Sequence, residues 1–268
     1  MQREEGHKML RFNILGGLEV RQHGLDCTPT APKVRAVLAL LLLRANQTVS
    51  QDAIFDWLWG DRPPRSAATT TQTYVYQLRA LFERVGVAGS ADQLLITRPT
   101  GYLLSLGEEQ LDATVFARLC AEGGALLDAA QPAEAAQRLR QALSLWRGPV
   151  LADVRVEDSM AADIAHLSEL RMRALELRIE ADARLGRYRE LVTELRGLVA
   201  AHPFNEWFHA QLITALNRCG RRAEALHAYR NLRQTLSDEL GLEPTPELQE
   251  LQRQVLNGSP VRLLATVS

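Results

Sequence analysis

The stretch "SAATTTQTYVYQLRALFERVG", Ser66 to Gly86, decides the fold. Val75, Leu78 and Phe82 recur at the i, i+3, i+7 spacing of an apolar helical stripe, with Thr71 one turn earlier. The other side carries Thr69, Thr73, Tyr76, Gln77, Ala80 and Arg84. A solvated helix face ordinarily holds Glu and Lys, which propagate helix and keep the chain in solution. Here Glu83 is the only acidic residue, near the far end. The β-branched run Thr69, Thr70, Thr71 is a poor way to start a helix. A neutral, hydrogen-bonding helix face needs a use other than solvation.

Its flanks suggest one. Upstream, "APKVRAVLALLLLRANQTVS" reads as a helix with Pro32 in its first turn, its apolar face built on Val34, Val37, Leu38, Leu41 and Leu42. "SQDAIFDWLWGD" reads as a second helix, with Ser50 as N-cap, Gly60 as its end, and Ile54, Trp57 and Leu58 inward. "GDRPPRS" is a turn that Pro63 and Pro64 keep out of the helix, and Ser66 is placed to cap the third helix. Downstream, "LLITRPTGYLLSL" reads as two short strands around a basic tip, Arg98-Pro99-Thr100-Gly101. Near the start, "LRFNILGGLEVRQHG" reads as a hairpin or small sheet.

Helix, helix, turn, helix and β-hairpin is the order of a winged helix-turn-helix, whose last helix enters the major groove while the wing touches backbone or minor groove. Such a helix excludes carboxylates from the phosphates and favours Thr, Gln, Tyr and Arg. The expected DNA contacts are Thr69, Thr70, Thr73, Tyr76 and Gln77 on the helix, and Arg98 and Thr100 on the wing. Arg79 and Arg84 are expected on phosphates. The threonines at the helix start add free amides and the dipole. The plain alternative is a polar surface helix.

Composition sets the outer limits. The 268 residues suit two domains, and 46% apolar content supports sizeable cores. A net charge of −1 gives no general bias toward nucleic acid. Residues 1–108 hold twelve basic and ten acidic side chains, and Thr30–Val85 seven and four, a mild tilt. Cys27, Cys120 and Cys219 are scattered without ligand spacing and read as reduced thiols in a cytoplasmic protein. The opening "MQREEGHKML" has no apolar signal region, and "VLALLLL" is too short to span a bilayer.

From Leu111 onward nearly everything reads as helix. "ARLGRYRELVTELRGLVAAHP" and "NRCGRRAEALHAYRNLRQTLS" align without gaps, Gly186 on Gly220, a period of 34 residues. That is the period of tetratricopeptide repeats, helix pairs that bury their apolar faces by stacking. Leu191 matches Ala225, Leu195 matches Tyr229 and Leu198 matches Leu232. "LDAAQPAEAAQRLRQALSLWRG" is a degenerate third copy, with Ala135, Leu139 and Ala142 in the same places. "DELGLEPTPELQELQRQVL" closes the array with a Gly-Pro break and one more amphipathic helix. The fold class expected is mainly α: a winged helix-turn-helix with small sheets, then an all-α tetratricopeptide-like domain.

These stretches, with "WLWGDRPPRSAATTTQTYVYQLR", "ALSLWRGPVLADV" and "DELGLEPTPELQ", resemble the small SARP activators, the Streptomyces antibiotic regulatory protein family. The resemblance runs from about Leu10 to Leu256. It implies an OmpR-like winged helix over 1–108, a bacterial transcriptional activation domain over 109–258, and a tail over 259–268. It further implies a cytoplasmic activator that binds direct repeats in double-stranded DNA near the −35 region, as a dimer or paired protomers. Recruitment of RNA polymerase and control of an antibiotic or other secondary-metabolite cluster are also implied. Asp61, Arg62 and Arg65 in the proline loop are the expected polymerase contacts, the alternative being a stiff connector between helices. With no receiver domain, P-loop or appended ATPase in view, control falls to expression level or an unrecognised ligand. OmpR-like relatives often carry basic residues where Tyr76 and Gln77 stand, and Gln77 suits adenine better than guanine.

No catalytic, metal or cofactor-binding residue is expected. His7, His23, His166, His202, His209 and His227 are scattered, and Pro203 breaks the face that His202 and His209 would share. There is no G-x-S-x-G and no dinucleotide fingerprint. The competing non-enzyme reading is an interaction scaffold in which the repeats do the work, and DNA sequence preference separates the two.

Overall fold

The computed structural model describes residues 10–85, 91–155 and 160–258. The expected tail at 259–268 lies outside the described residues, as does most of the opening decapeptide. The chain forms two compact units, Met1–Glu122 with Arg140–Ala174, and Gly123–Leu139 with Leu175–Ser268. This is a division by packing, and the chain passes between the units within three helices rather than at a linker.

In the first unit β1 (Arg11–Asn13), β2 (Glu19–Gln22) and β3 (Leu25–Asp26) form an antiparallel sheet in that order. Alternation puts Phe12 and Val20 in register on one face, both wholly buried. Three helices follow, α1 (Pro32–Leu43), α2 (Gln51–Trp59) and α3 (Ala67–Arg84), with a strand β4 (Thr48–Ser50) between the first two. Pro32 opens α1, whose apolar run Val37–Leu42 is buried on every side. Ser50 Oγ accepts the Ala53 amide at 3.1 Å, the expected cap, and Gly60 ends α2 at φ 58°. A short helix α4 (Ala91–Leu94) leads into the hairpin β5 (Leu95–Arg98) and β6 (Gly101–Leu104).

One element differs from the sequence reading, which ran the first helix on to Ser50. The helix stops at Leu43, Asn46 turns the chain at φ 63°, and Thr48–Ser50 pairs with β6. Asn46 fixes the turn by exchanging two hydrogen bonds with the Leu106 backbone, at 3.0 and 2.8 Å. The wing hairpin therefore belongs to a three-stranded sheet of order β4-β6-β5. Gly101 permits it, because a Cβ there would run into the Val49 carbonyl.

The remaining elements of this unit close over the first sheet. Asp112 opens α5 (Asp112–Asp128), and its carboxylate accepts the Ile14 amide at 2.8 Å and the Leu15 amide at 3.0 Å. Asp153 Oδ1 accepts the Leu18 amide at 2.7 Å, and its Oδ2 pairs with Arg35 at 2.5 Å. The Arg147, Leu151 and Ala152 amides bond to the Leu15, Ile14 and Gly16 carbonyls. Gly16, at φ 155°, and Gly17 lie against Arg147 and Asp153. "ILGGL" and "WRGPVLAD" thus satisfy one another's backbone groups.

The second unit is helical. It takes in parts of α5, α6 (Pro132–Leu143) and α7 (Ala161–Arg184), then α8 (Tyr188–Ala201), α9 (Glu206–Arg218), α10 (Arg222–Leu240) and α11 (Pro246–Asn257). Leu127, Ala135, Ala136 and Ala181 make one buried cluster. Gly186 and Gly220 turn their helix pairs at φ 75° and 76°. In each, the glycine amide and the next one bond back to the preceding helix, Gly186 to Ala183 and Arg187 to Asp182, Gly220 to Asn217 and Arg221 to Leu216. The third copy has Ala130 at this place, at φ 57° with the same two bonds, Ala130 to Leu127 and Gln131 to Leu126. An L-residue pays about 1–2 kcal/mol for that conformation. Ala130→Gly is therefore expected to stabilise the chain by about 0.5–1 kcal/mol, read as a thermal midpoint raised by about 1–4 °C. An unchanged or lowered midpoint would refute the strain.

Candidate nucleic-acid interface

Helix α3 is held by one face and free on the other. Ala67, Thr71, Val75, Leu78, Leu81 and Phe82 are buried, and Phe82 meets Phe12 edge-on at 5.9 Å between ring centroids. Thr69, Thr73, Gln77, Ala80 and Arg84 are exposed, and Tyr76 keeps 71% of its surface in solvent. That is far more than an aromatic ring needs for packing. Gln72 joins this face one turn from Thr69 and Tyr76, a polar residue the sequence reading passed over although its spacing placed it there. Thr70 is half-buried, its hydroxyl 3.4 Å from Ser66 Oγ. Thr73 Oγ1 donates to the Thr69 carbonyl at 3.1 Å, so outward it offers lone pairs and a methyl group.

The start of α3 corrects one expectation. Ser66 stands at the N-cap position but makes no side-chain cap bond. The Ala67 amide bonds to the Pro64 carbonyl at 2.9 Å instead. The following first-turn amides keep the positive end of the helix open, with no carboxylate in that turn.

Arg79 has partners within the protein. Expected as a phosphate contact, it is engaged inside the protein. Its Nε and Nη2 donate to the Leu95 carbonyl at 3.1 and 2.7 Å, and Nη2 to Thr97 Oγ1 at 2.8 Å. Asp92 Oδ1 lies 2.9 Å from Nε. Arg79 ties α3 to α4 and β5, setting the wing against the helix. The spacing signal was present, since Arg79 follows Leu78 and lies one turn from the buried Val75 and Phe82. Arg98 and Thr100, by contrast, stand exposed at the hairpin tip, where Arg98 pairs with Gly101 around a two-residue loop. Asp61, Arg62 and Arg65 are all exposed, in a non-helical loop from Asp61 to Arg65.

The two arginines make a paired prediction. Arg98→Ala is expected to flatten the slope of log affinity against log salt by about 0.9 for the phosphate charge it leaves unneutralised. Arg79→Ala should weaken DNA binding with the slope unchanged, since its charge is balanced within the protein. Salt titrations of both variants check this, and identical slopes would overturn the distinction.

Comparison with known proteins accounts for this arrangement. The model of the transcriptional regulatory protein C-terminal domain matches residues 26–104, and that of the bacterial transcriptional activator domain matches residues 111–256. The regulatory protein DnrI of Streptomyces peucetius is 42% identical over 254 residues, 94% of this chain and 93% of that protein. The chain belongs to the SARP family of transcriptional regulators. The regulatory protein AfsR of Streptomyces coelicolor shares 36% identity with this SARP over 258 residues, which is 96% of the chain but 25% of AfsR. The solved structure of Mycobacterium tuberculosis EmbR in complex with a low-affinity phosphopeptide superposes with a TM-score of 0.89 at 34% identity. It covers 96% of the SARP and 67% of EmbR. The relatives are named regulators, and this SARP is a regulator of transcription rather than an enzyme. Among the described residues no helix is long and apolar enough to cross a membrane, and no group of His, Cys, Asp and Glu has metal-site geometry.

Proposed function

We propose that this regulator activates transcription by laying α3 in the major groove of direct repeats near the −35 region, two copies side by side. The observation that carries the reading is the two-sided character of α3. One face is locked into the core by Val75, Leu78 and Phe82, while the other presents Thr69, Gln72, Thr73, Tyr76 and Gln77 with no carboxylate before Glu83. Thr73 and Gln77 read bases, Thr69, Thr70 and Tyr76 flank them, and Arg84 meets phosphate. The wing brings Arg98 and Thr100 to backbone or minor groove.

The loop with Asp61, Arg62 and Arg65 meets RNA polymerase holoenzyme. It leaves α2 at Gly60 and enters α3 at Ala67, so it lies beside the groove when α3 is in it, and two prolines hold it ready at little entropic cost. As a member of the SARP family, the regulator serves an antibiotic or other secondary-metabolite cluster and works in the cytoplasm. A selection of binding sites from random DNA, followed by footprinting, tests the whole reading. A repeated consensus is the expected result, and uniform binding without preference would overturn it. For the loop, Asp61→Ala with Arg62→Ala is expected to leave operator affinity and melting temperature intact while lowering transcription with purified polymerase. Affinity falling in step with transcription would assign the loop to DNA binding or folding.

A further inference from the structure

A cavity of about 260 Å³ opens within the second compact unit, walled by α8, α9 and α10. Helix α9 packs against both of the others, and its residues from Phe208 to Leu216 are buried. His209, Leu212 and Leu216 face the cavity from α9 at the i, i+3, i+7 spacing of one stripe. Glu224, His227, Ala228 and Asn231 do so from α10, and Arg196 and Val199 from α8. The short side chains of Val199 and Ala228 leave room between the helices. The DNA-binding reading, which rests on the winged helix, has no use for this space.

The cavity offers little to an ion. Its cation and its carboxylate meet each other, Arg196 Nη2 lying 2.6 Å from Glu224 Oε2. Arg221, which shares Glu224 at 2.7 Å, stands outside the lining. What remains is an apolar surface with two imidazoles. His209 is 9% exposed, a costly place for a ring nitrogen to go unbonded. Burial holds its pKa below the ordinary value, so the ring is neutral near pH 7. Its Nε2 lies 3.0 Å from the Pro203 carbonyl, which can only accept, so Nε2 carries the hydrogen and Nδ1 a bare lone pair. His227 is the complement. The Asn231 amide nitrogen, which can only donate, lies 3.3 Å from its Nδ1, so the neutral ring carries its hydrogen on Nε2. The lining thus supplies one acceptor and one donor beside Leu212 and Leu216.

We propose that this cavity binds a small uncharged apolar molecule bearing a hydroxyl group. The hydroxyl donates to His209 Nδ1, and an oxygen lone pair accepts from His227 Nε2. The carbon skeleton lies on Leu212, Leu216, Val199 and Ala228. A cavity of about 150 Å³ holds benzene, so this one takes a skeleton of about two fused rings. A few placed polar groups on an apolar wall are the usual make-up of a small-molecule site. Such a ligand joins α8 to α10 over α9, which makes the cavity an effector site of the repeat domain.

The test needs no DNA, so its failure leaves the groove reading untouched. The intact chain is titrated with β-naphthol, naphthalene and naphthalene sulfonate, by calorimetry and ligand-observed NMR. Saturable binding of naphthol is expected, with naphthalene and the sulfonate each weaker by about two- to tenfold or more. Ala228→Leu fills the cavity and should weaken naphthol binding at least about tenfold. His227→Phe, at an exposed position, keeps a ring without the donor and should weaken it by about two- to tenfold with the thermal midpoint unchanged. Gln77→Ala should leave binding as it is. No saturable binding of naphthol, a sulfonate that binds as tightly, or an affinity unchanged in both cavity variants would each overturn the proposal.

Discussion

Asp112→Ala is expected to cost about 3–5 kcal/mol of folding stability, a large share of what a domain possesses. Asp112 is 8% exposed, and its carboxylate accepts the amides of Ile14 and Leu15. Each buried amide left unsatisfied costs about 1–3 kcal/mol. The Arg147 guanidinium, 3.4 Å away, loses one of its two carboxylates and keeps Glu19 at 2.8 Å. Burial raises the Asp112 carboxyl above its ordinary value, and the Ile14 and Leu15 amides with Arg147 pull against that rise. Asp112→Asn keeps one acceptor oxygen and should lose less. The same physics bears on a chain ended at Glu108. It lacks Asp112, Asp153, the Gln110 carbonyl that accepts the Phe12 amide at 2.7 Å, and the three amides of Arg147–Ala152, and is expected to lose cooperative unfolding. Urea titration followed by tryptophan emission in a Trp207→Phe background reports the first unit alone. A loss under about 1 kcal/mol in Asp112→Ala, or a cooperative transition for the shortened chain, would show that the first sheet does not lean on these residues.

Gln77→Ala is expected to weaken binding to the selected operator by about 1–3 kcal/mol, roughly 5- to 150-fold, and random DNA far less. Gln77 is exposed on the free face of α3, in its third turn, on a helix whose other face cannot shift without disturbing Val75 and Phe82. That rigidity lets a single amide discriminate, since a misplaced partner base leaves both its donor and its acceptor unmet. Thr73→Val should cost less, because the Thr73 proton already serves the Thr69 carbonyl and the methyl group is retained. Gel shifts on operator and scrambled duplexes at one salt concentration measure both. Equal losses on the two duplexes would make Gln77 a backbone contact.

The sequence by itself determined most features that depend on local chemistry, the Ser66 cap excepted. The stripe Val75, Leu78, Phe82 and the neutral face beside it followed from 3.6-residue periodicity, and the structure buries one and exposes the other. Ser50, Gly60 and Pro32 marked helix ends through capping and fixed φ, and Gly186 and Gly220 marked the repeat through a backbone region few other residues enter. What only the tertiary structure decided was which polar groups meet across long stretches of chain. Arg79 resembles any other arginine beside a groove until α4 and β5 fold back onto it with the Leu95 carbonyl and Asp92. β4 looked like the tail of a helix, because a three-residue strand has no periodicity to read and exists by pairing with β6 some fifty residues later. Asp112 and Asp153 look like ordinary surface carboxylates, and they become the acceptors for Ile14, Leu15 and Leu18 across separations of 97 to 135 residues. A hydrogen bond at that separation leaves no spacing in the chain, because its geometry comes from the packing of the core that brings the two ends together.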